Sequence, residues 1–107
     1  MSSTARVVLV TTPDADTAER LATVLVDERL AACGSVVPGA VSIYRWDEQV
    51  RRDDEALLIL KTEQAQIDAL CARVVALHPY DVPEVVVLPI LGGHAPYLEW
   101  VGRSTTR

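Results

Sequence analysis

The sequence predicts an α+β domain of the split βαβ kind, in which an antiparallel sheet is covered on one face by two helices. Three observations predict it. Apolar runs with strand and helix periodicity follow one another in the order β-α-β-β-α-β-α. The chain has 107 residues, which fits one domain over residues 1–107. Half of the residues are apolar, yet no run approaches the roughly 20 apolar residues that a membrane-spanning helix needs.

The elements follow in order. Val7-Val8-Leu9-Val10 is a short β-branched strand that gives way at Thr11-Thr12-Pro13-Asp14 to turn and cap residues. Residues 17–30 read as a helix with Ala18, Leu21, Ala22 and Leu25 on its inner side; Asp14 or Asp16 caps it, and Asp16 with Glu19 has capping-box spacing. From residue 35 the period changes to two. Val36-Val37, a turn or kink at Pro38-Gly39, and then Val41, Ile43 and Arg45 on one face with Ser42, Tyr44 and Trp46 on the other describe a strand. Asp47-Glu48-Gln49 is the expected hairpin tip, and residues 56–60 the returning strand. A hairpin this long overhangs a small two-layer core, and its unpaired edges and apolar side chains call for another chain.

A second helix over residues 63–77 has an inner stripe of Ile67, Leu70, Cys71, Val74 and Leu77, and His78-Pro79 ends it. Residues 82–91 form a continuous β-branched stretch suited to a central strand, although Pro83 and Pro89 remove ladder donors and Pro89 points to an edge or bulge. Gly92-Gly93 leads to a short terminal helix, residues 96–101, that presents Tyr97, Leu98 and Trp100, and the tail after Gly102 is expected to fray.

Charge and motifs narrow the function. A net charge of −5 repels phosphate backbones and argues against nucleic acid as partner. The amino-terminal residues lack a basic start followed by a long apolar stretch, so the chain reads as cytoplasmic, with no membrane segment. Cys33 and Cys71 have no CxxC spacing, and in that compartment neither a disulfide nor a zinc ribbon is expected. No P-loop, dinucleotide fingerprint, nucleophile elbow or HExxH helix is present, so the sequence offers no recognisable catalytic constellation.

Chemistry concentrates in His78-Pro79-Tyr80-Asp81-Val82-Pro83-Glu84, where an imidazole, a phenol and two carboxylates sit between a helix end and a strand start. His78 is either a cation held by the dipole of its own helix or a ligand or acid/base group. Asp81 and Glu84 are a solvated pair or an acid/base pair. Cys33, at the exit of the first helix, is an inert half-buried thiol or a soft-metal ligand completed from elsewhere in the fold or from another subunit. Cys71 lies on the inner stripe and reads as core. Tyr44 and Trp46 share a strand face suited to packing between subunits.

Glu28-Arg29-Leu30-Ala31-Ala32-Cys33, Pro38-Gly39 with Ser42-Ile43-Tyr44-Arg45-Trp46, Leu58-Ile59-Leu60-Lys61-Thr62, the segment from His78 to Glu84, and Tyr97-Leu98-Glu99-Trp100 together resemble the CutA divalent-cation tolerance family, in order and over nearly the whole chain. The resemblance implies a ferredoxin-like protomer in a tight homotrimer built by pairing long hairpins, similar in architecture to the PII signal proteins. It also implies a part in metal tolerance and homeostasis, with weak binding of copper or another divalent cation and no accepted enzymatic activity.

Carried over by motif, Cys33 matches the cysteine of the family's LAAC run, and His78, Tyr80, Asp81 and Glu84 match its HPYEVPE run with Asp81 in place of Glu. Lys61 and Trp46 fall in matching runs. Cys33, His78 and Glu84 are thus the candidate metal donors, and Trp46, Lys61, Tyr80 and Asp81 candidate cleft residues. The sequence departs from the family at Gly34-Ser35, which replaces a bulkier residue and an asparagine. The alternative function is a PII-like signalling or adaptor trimer whose clefts between subunits take a small ligand or a protein not identified by the sequence.

Overall fold

A computed structural model describes residues 3–106. Its elements are β1 (Ala5–Thr12), α1 (Ala15–Asp27), β2 (Cys33–Trp46), β3 (Gln49–Glu63), a 3-10 turn (Gln64–Gln66), α2 (Ile67–Leu77), β4 (Val85–Pro89) and α3 (Ala95–Ser104). The strands form one sheet in the order β2-β3-β1-β4. Every neighbouring pair is antiparallel, which is the ferredoxin-like arrangement the element order predicts.

Alternation along β1 and β3 separates the two faces of the sheet. Val8 and Val10 of β1 and Leu58 and Leu60 of β3 are buried against Leu21 and Leu25 of α1 and Leu70 and Val74 of α2. Each such side chain contributes about 1.5–3 kcal/mol on leaving water. Gly34 lies on this covered face: a Cβ placed there would stand 3.0 Å from the Ala22 Cβ and 3.0 Å from Leu60 Cδ2, so its bare Cα is what lets α1 approach.

Element ends differ from the sequence reading for local reasons. Asp14, not Asp16, caps α1, accepting the Thr17 N–H at 2.8 Å. The helix stops at Asp27 because Arg29 turns left-handed (φ 61°), with Leu30 N–H bonded to Leu25 O and Arg29 N–H to Val26 O, a Schellman ending. Pro38-Gly39 is a kink inside one long strand: the β2–β3 register slips between Val37 and Ala40, and Gly39 takes φ 80°. The hairpin tip is two residues, Asp47 and Glu48, both left-handed, as a primed turn requires. A 3-10 turn delays α2 to Ile67, and Leu77 in its last turn is exposed, off the inner stripe.

Of the two readings of residues 82–91, the edge that Pro89 pointed to is the one observed: the strand is five residues long and lies at the sheet's edge, where Pro89 costs no second ladder bond. The terminal helix is longer than expected, and the tail to residue 106 is tied down. Thr105 is buried, its hydroxyl donating to Val101 O at 3.0 Å while Gln66 Nε2 donates to Thr105 O at 2.9 Å.

The other face of the sheet carries Val7 and Leu9 of β1, Leu57 and Ile59 of β3, Val37 of β2 and Val86 and Leu88 of β4, brought side by side by the register. The two helices do not cover it; Val37, Val86 and Leu88 are each more than two-fifths exposed. Only its far end is covered, where α3 packs Val101 and Leu98 near Ala5 and Ala32. At the opposite end the hairpin overhangs. β1 pairs with β3 no further than Ala56, so residues 40–46 and 49–55 pair only with each other. The accessible surface of 6637 Å² exceeds the roughly 5,900 Å² typical of this mass, as an overhang demands.

Candidate functional site

The candidate residues fall in three places. Cys33 opens β2 opposite Lys61 of β3, on the open face under α3. Its half-buried Sγ lies 3.5 Å from the Tyr97 hydroxyl, whose ring packs on Trp100 with centroids 5.5 Å apart. The bond with Cys33 and partial burial raise the Tyr97 phenol above its ordinary pKa. Sequence alone did not join Cys33 to Tyr97, because 64 residues separate them.

The second place is the base of the hairpin. His78 ends α2 with extended backbone, and its ring turns away from its own helix toward β1. Nε2 lies 2.7 Å from Thr11 O, and the Tyr80 N–H donates to Nδ1 at 3.1 Å. A carbonyl can only accept and an amide N–H can only donate, so these two bonds select the Nε2–H tautomer and engage both nitrogens. The ring is also buried. The ring thus faces β1 and not the carbonyl end of its own helix.

Tyr80 stacks on that ring with centroids 4.7 Å apart and donates to Glu55 Oε2 at 2.7 Å. Burial, then the bond to Glu55, push its phenol far above the ordinary tyrosine range. Beside it Tyr44 donates to Asp53, which likewise raises the Tyr44 phenol. Asp53 and Glu55 were missed by sequence reasoning. Their spacing of two on one strand puts both on the hairpin face that carries Tyr44, which Asp53 meets diagonally, opposite Ser42; that spacing was the available signal.

The third group is dispersed. Trp46 stands about half exposed beside the hairpin tip, and Asp81 and Glu84 are exposed in the loop before β4. An open groove of ≈ 1200 Å³ lined by Glu63, Asp68, Glu99 and Arg103, among others, lies elsewhere, and none of the candidates lines it.

The donor set of one chain does not fit a metal ion. Cys33 is level with Val7 of β1 through Lys61, whereas His78 bonds Thr11, four residues further along; the two are about 13 Å apart along the strand. Among the described residues no group of three or more His, Cys, Asp or Glu side chains converges. No buried side-chain nitrogen or oxygen among them lacks a partner. Of the expected donors, Glu84 is exposed, Cys33 contacts the Tyr97 hydroxyl, and both His78 nitrogens are bonded within the chain. No helix among the described residues is long and apolar enough to cross a membrane.

Comparison with known proteins agrees with this architecture. The family model described as CutA1 divalent ion tolerance protein matches residues 6–104. The chain is 50% identical over 99 residues to the divalent-cation tolerance protein CutA of Thermus thermophilus, covering 92% of this chain and 96% of that protein. It is also 50% identical over 99 residues to the chloroplastic protein CutA 1 of Oryza sativa, covering 92% of this chain but only 56% of the plant protein, so it spans about half the length of that relative. The solved structure of the Thermus thermophilus divalent cation tolerance protein superposes with a TM-score of 0.93 at 49% identity, covering 95% of this chain and 99% of that one. This chain belongs to the CutA1 divalent ion tolerance protein family.

Proposed function

We propose that the protein serves divalent-cation tolerance as a homotrimer that binds copper or another divalent cation weakly, by binding and not by turnover. Family membership carries the tolerance role. The uncovered apolar face and the unpaired edges of the hairpin support assembly, because both features cost free energy in water and a further copy of the chain would cover them. Cys33 is the soft donor in this reading, and its other ligands come from neighbouring copies or from carboxylates such as Glu84.

Native mass spectrometry of reduced protein before and after copper exposure tests both halves. The expected result is a trimer that retains copper in multiples of three after desalting and loses it in Cys33→Ser. A trimer returning to its apo mass overturns the metal reading, and a monomer overturns the assembly.

A further inference from the structure

The hairpin loses support where β1 stops, and one segment of the chain stands at that point. Thr12 of β1 pairs with Ala56, and Pro13 follows with no N–H to continue the ladder. Glu55 is therefore the first residue of β3 with no β1 partner. The Tyr80 phenol bonds its carboxylate at 2.7 Å. Tyr80 is held in turn: its amide bonds His78 Nδ1, its ring stacks on the imidazole, and the imidazole is fixed to Thr11 O at 2.7 Å, just beyond Val10, the last β1 residue paired with β4. Pro79 between them fixes one backbone dihedral.

We propose that His78 and Tyr80 form a brace that passes around the end of β1 and sets the direction of the overhanging hairpin, with the imidazole committed to this task and not to a metal. Every polar atom of the two side chains takes part: Nε2 anchors to β1, Nδ1 orders the backbone of Tyr80, and the phenol holds β3. The brace supplies by side chains the lateral support that a longer β1 would have given by backbone. It stands on contacts within one chain and does not depend on the trimer or on metal binding.

Hydrogen exchange with peptide-level readout on the full chain tests it in Tyr80→Phe, which keeps the ring on His78 and removes only the hydroxyl. Exchange in residues 49–56 is expected to quicken by about five- to tenfold, the scale for losing one ordinary intramolecular hydrogen bond, while residues 57–63 beside β1 stay unchanged. Tyr44→Phe, which removes a bond wholly inside the hairpin, serves as the comparison and is expected to have less effect at residues 53–56. If Tyr80→Phe does not fold, Glu55→Gln is read in the same way, with a smaller change at the same residues.

Faster exchange confined to the loop at residues 79–84, or no change anywhere, overturns the brace. Imidazole ¹⁵N shifts give a second reading. The pattern of an Nε2–H tautomer, unmoved by added zinc, is expected; a zinc-dependent shift of either His78 nitrogen overturns the assignment.

Discussion

Gly34→Ala isolates the closest approach of helix to sheet. The added Cβ would meet Ala22 Cβ and Leu60 Cδ2 at 3.0 Å and Leu58 Cδ1 at 3.3 Å. Leu60 and Leu58 are fully buried, and Ala22 is held by the backbone of α1, so none of the three can swing into solvent. Overpacking a filled core costs about 1–3 kcal/mol. Against it stands about 0.4–1 kcal/mol gained by restricting the unfolded chain when glycine is replaced. The net expectation is a loss of about 1–2 kcal/mol, or about 4–15 °C in melting temperature for a domain of this size. Denaturant midpoints at fixed protein concentration measure it, since any assembly would make the midpoint concentration-dependent. Ala22→Gly in the same background removes one of the two closest contacts and should recover part of the loss despite the helix penalty of glycine. A Gly34→Ala protein at least as stable as the parent would refute the close-approach reading and leave the departure from the family at this position without a structural role.

Other outcomes follow from single features. Arg29→Gly, at the left-handed residue that ends α1, is expected to raise stability by about 0.5–1 kcal/mol in the same denaturant assay. Asp14 is held below its ordinary pKa by the Thr17 amide bond, so its contribution is complete above the unfolded carboxylate value and is lost as pH falls through the depressed one. Asp14→Asn should keep the cap and remove that acid sensitivity, read as the pH dependence of the melting temperature. The Tyr80 phenol is raised by burial and by Glu55, so its contribution is complete below the unfolded tyrosine value of about 10 and declines above it. Tyr80→Phe should therefore flatten the alkaline loss of stability, and ultraviolet titration of the parent should show one phenol ionising well after a free tyrosine would.

How much of this was legible in the sequence depended on whether a signal was local. The order of elements, the inner residues of α1 and the hairpin with its overhang came from periodicity and turn chemistry, which short stretches carry by themselves. Residues 82–91 left two readings open, because a β-branched run looks the same in a central strand and at an edge and only Pro89 pointed to the edge. Only the pairing of Val85 to Pro89 with β1, and with nothing beyond, decides between them. Leu77 fitted the helical stripe of α2 but lies in its last turn, where the chain is already leaving the core for β1. The site residues were legible as chemistry and illegible as geometry. A motif naming His78 and Tyr80 does not say that one ring would face Thr11, 67 positions away, and the other Glu55, 25 positions away.

That distinction bears on how a family motif is read. His78, Tyr80 and Glu84 lie within seven residues, which suggests one site, yet the fold sends them to different tasks: two side chains brace the hairpin and the third faces solvent. Cys33, 45 positions from His78, stands instead on the other face of the sheet, at the end that α3 covers. Proximity in sequence therefore misplaces the division of labour: of the HPYDVPE segment, His78 and Tyr80 bond back to β1 and β3 while Asp81 and Glu84 stay exposed, and Cys33 lies apart from all four.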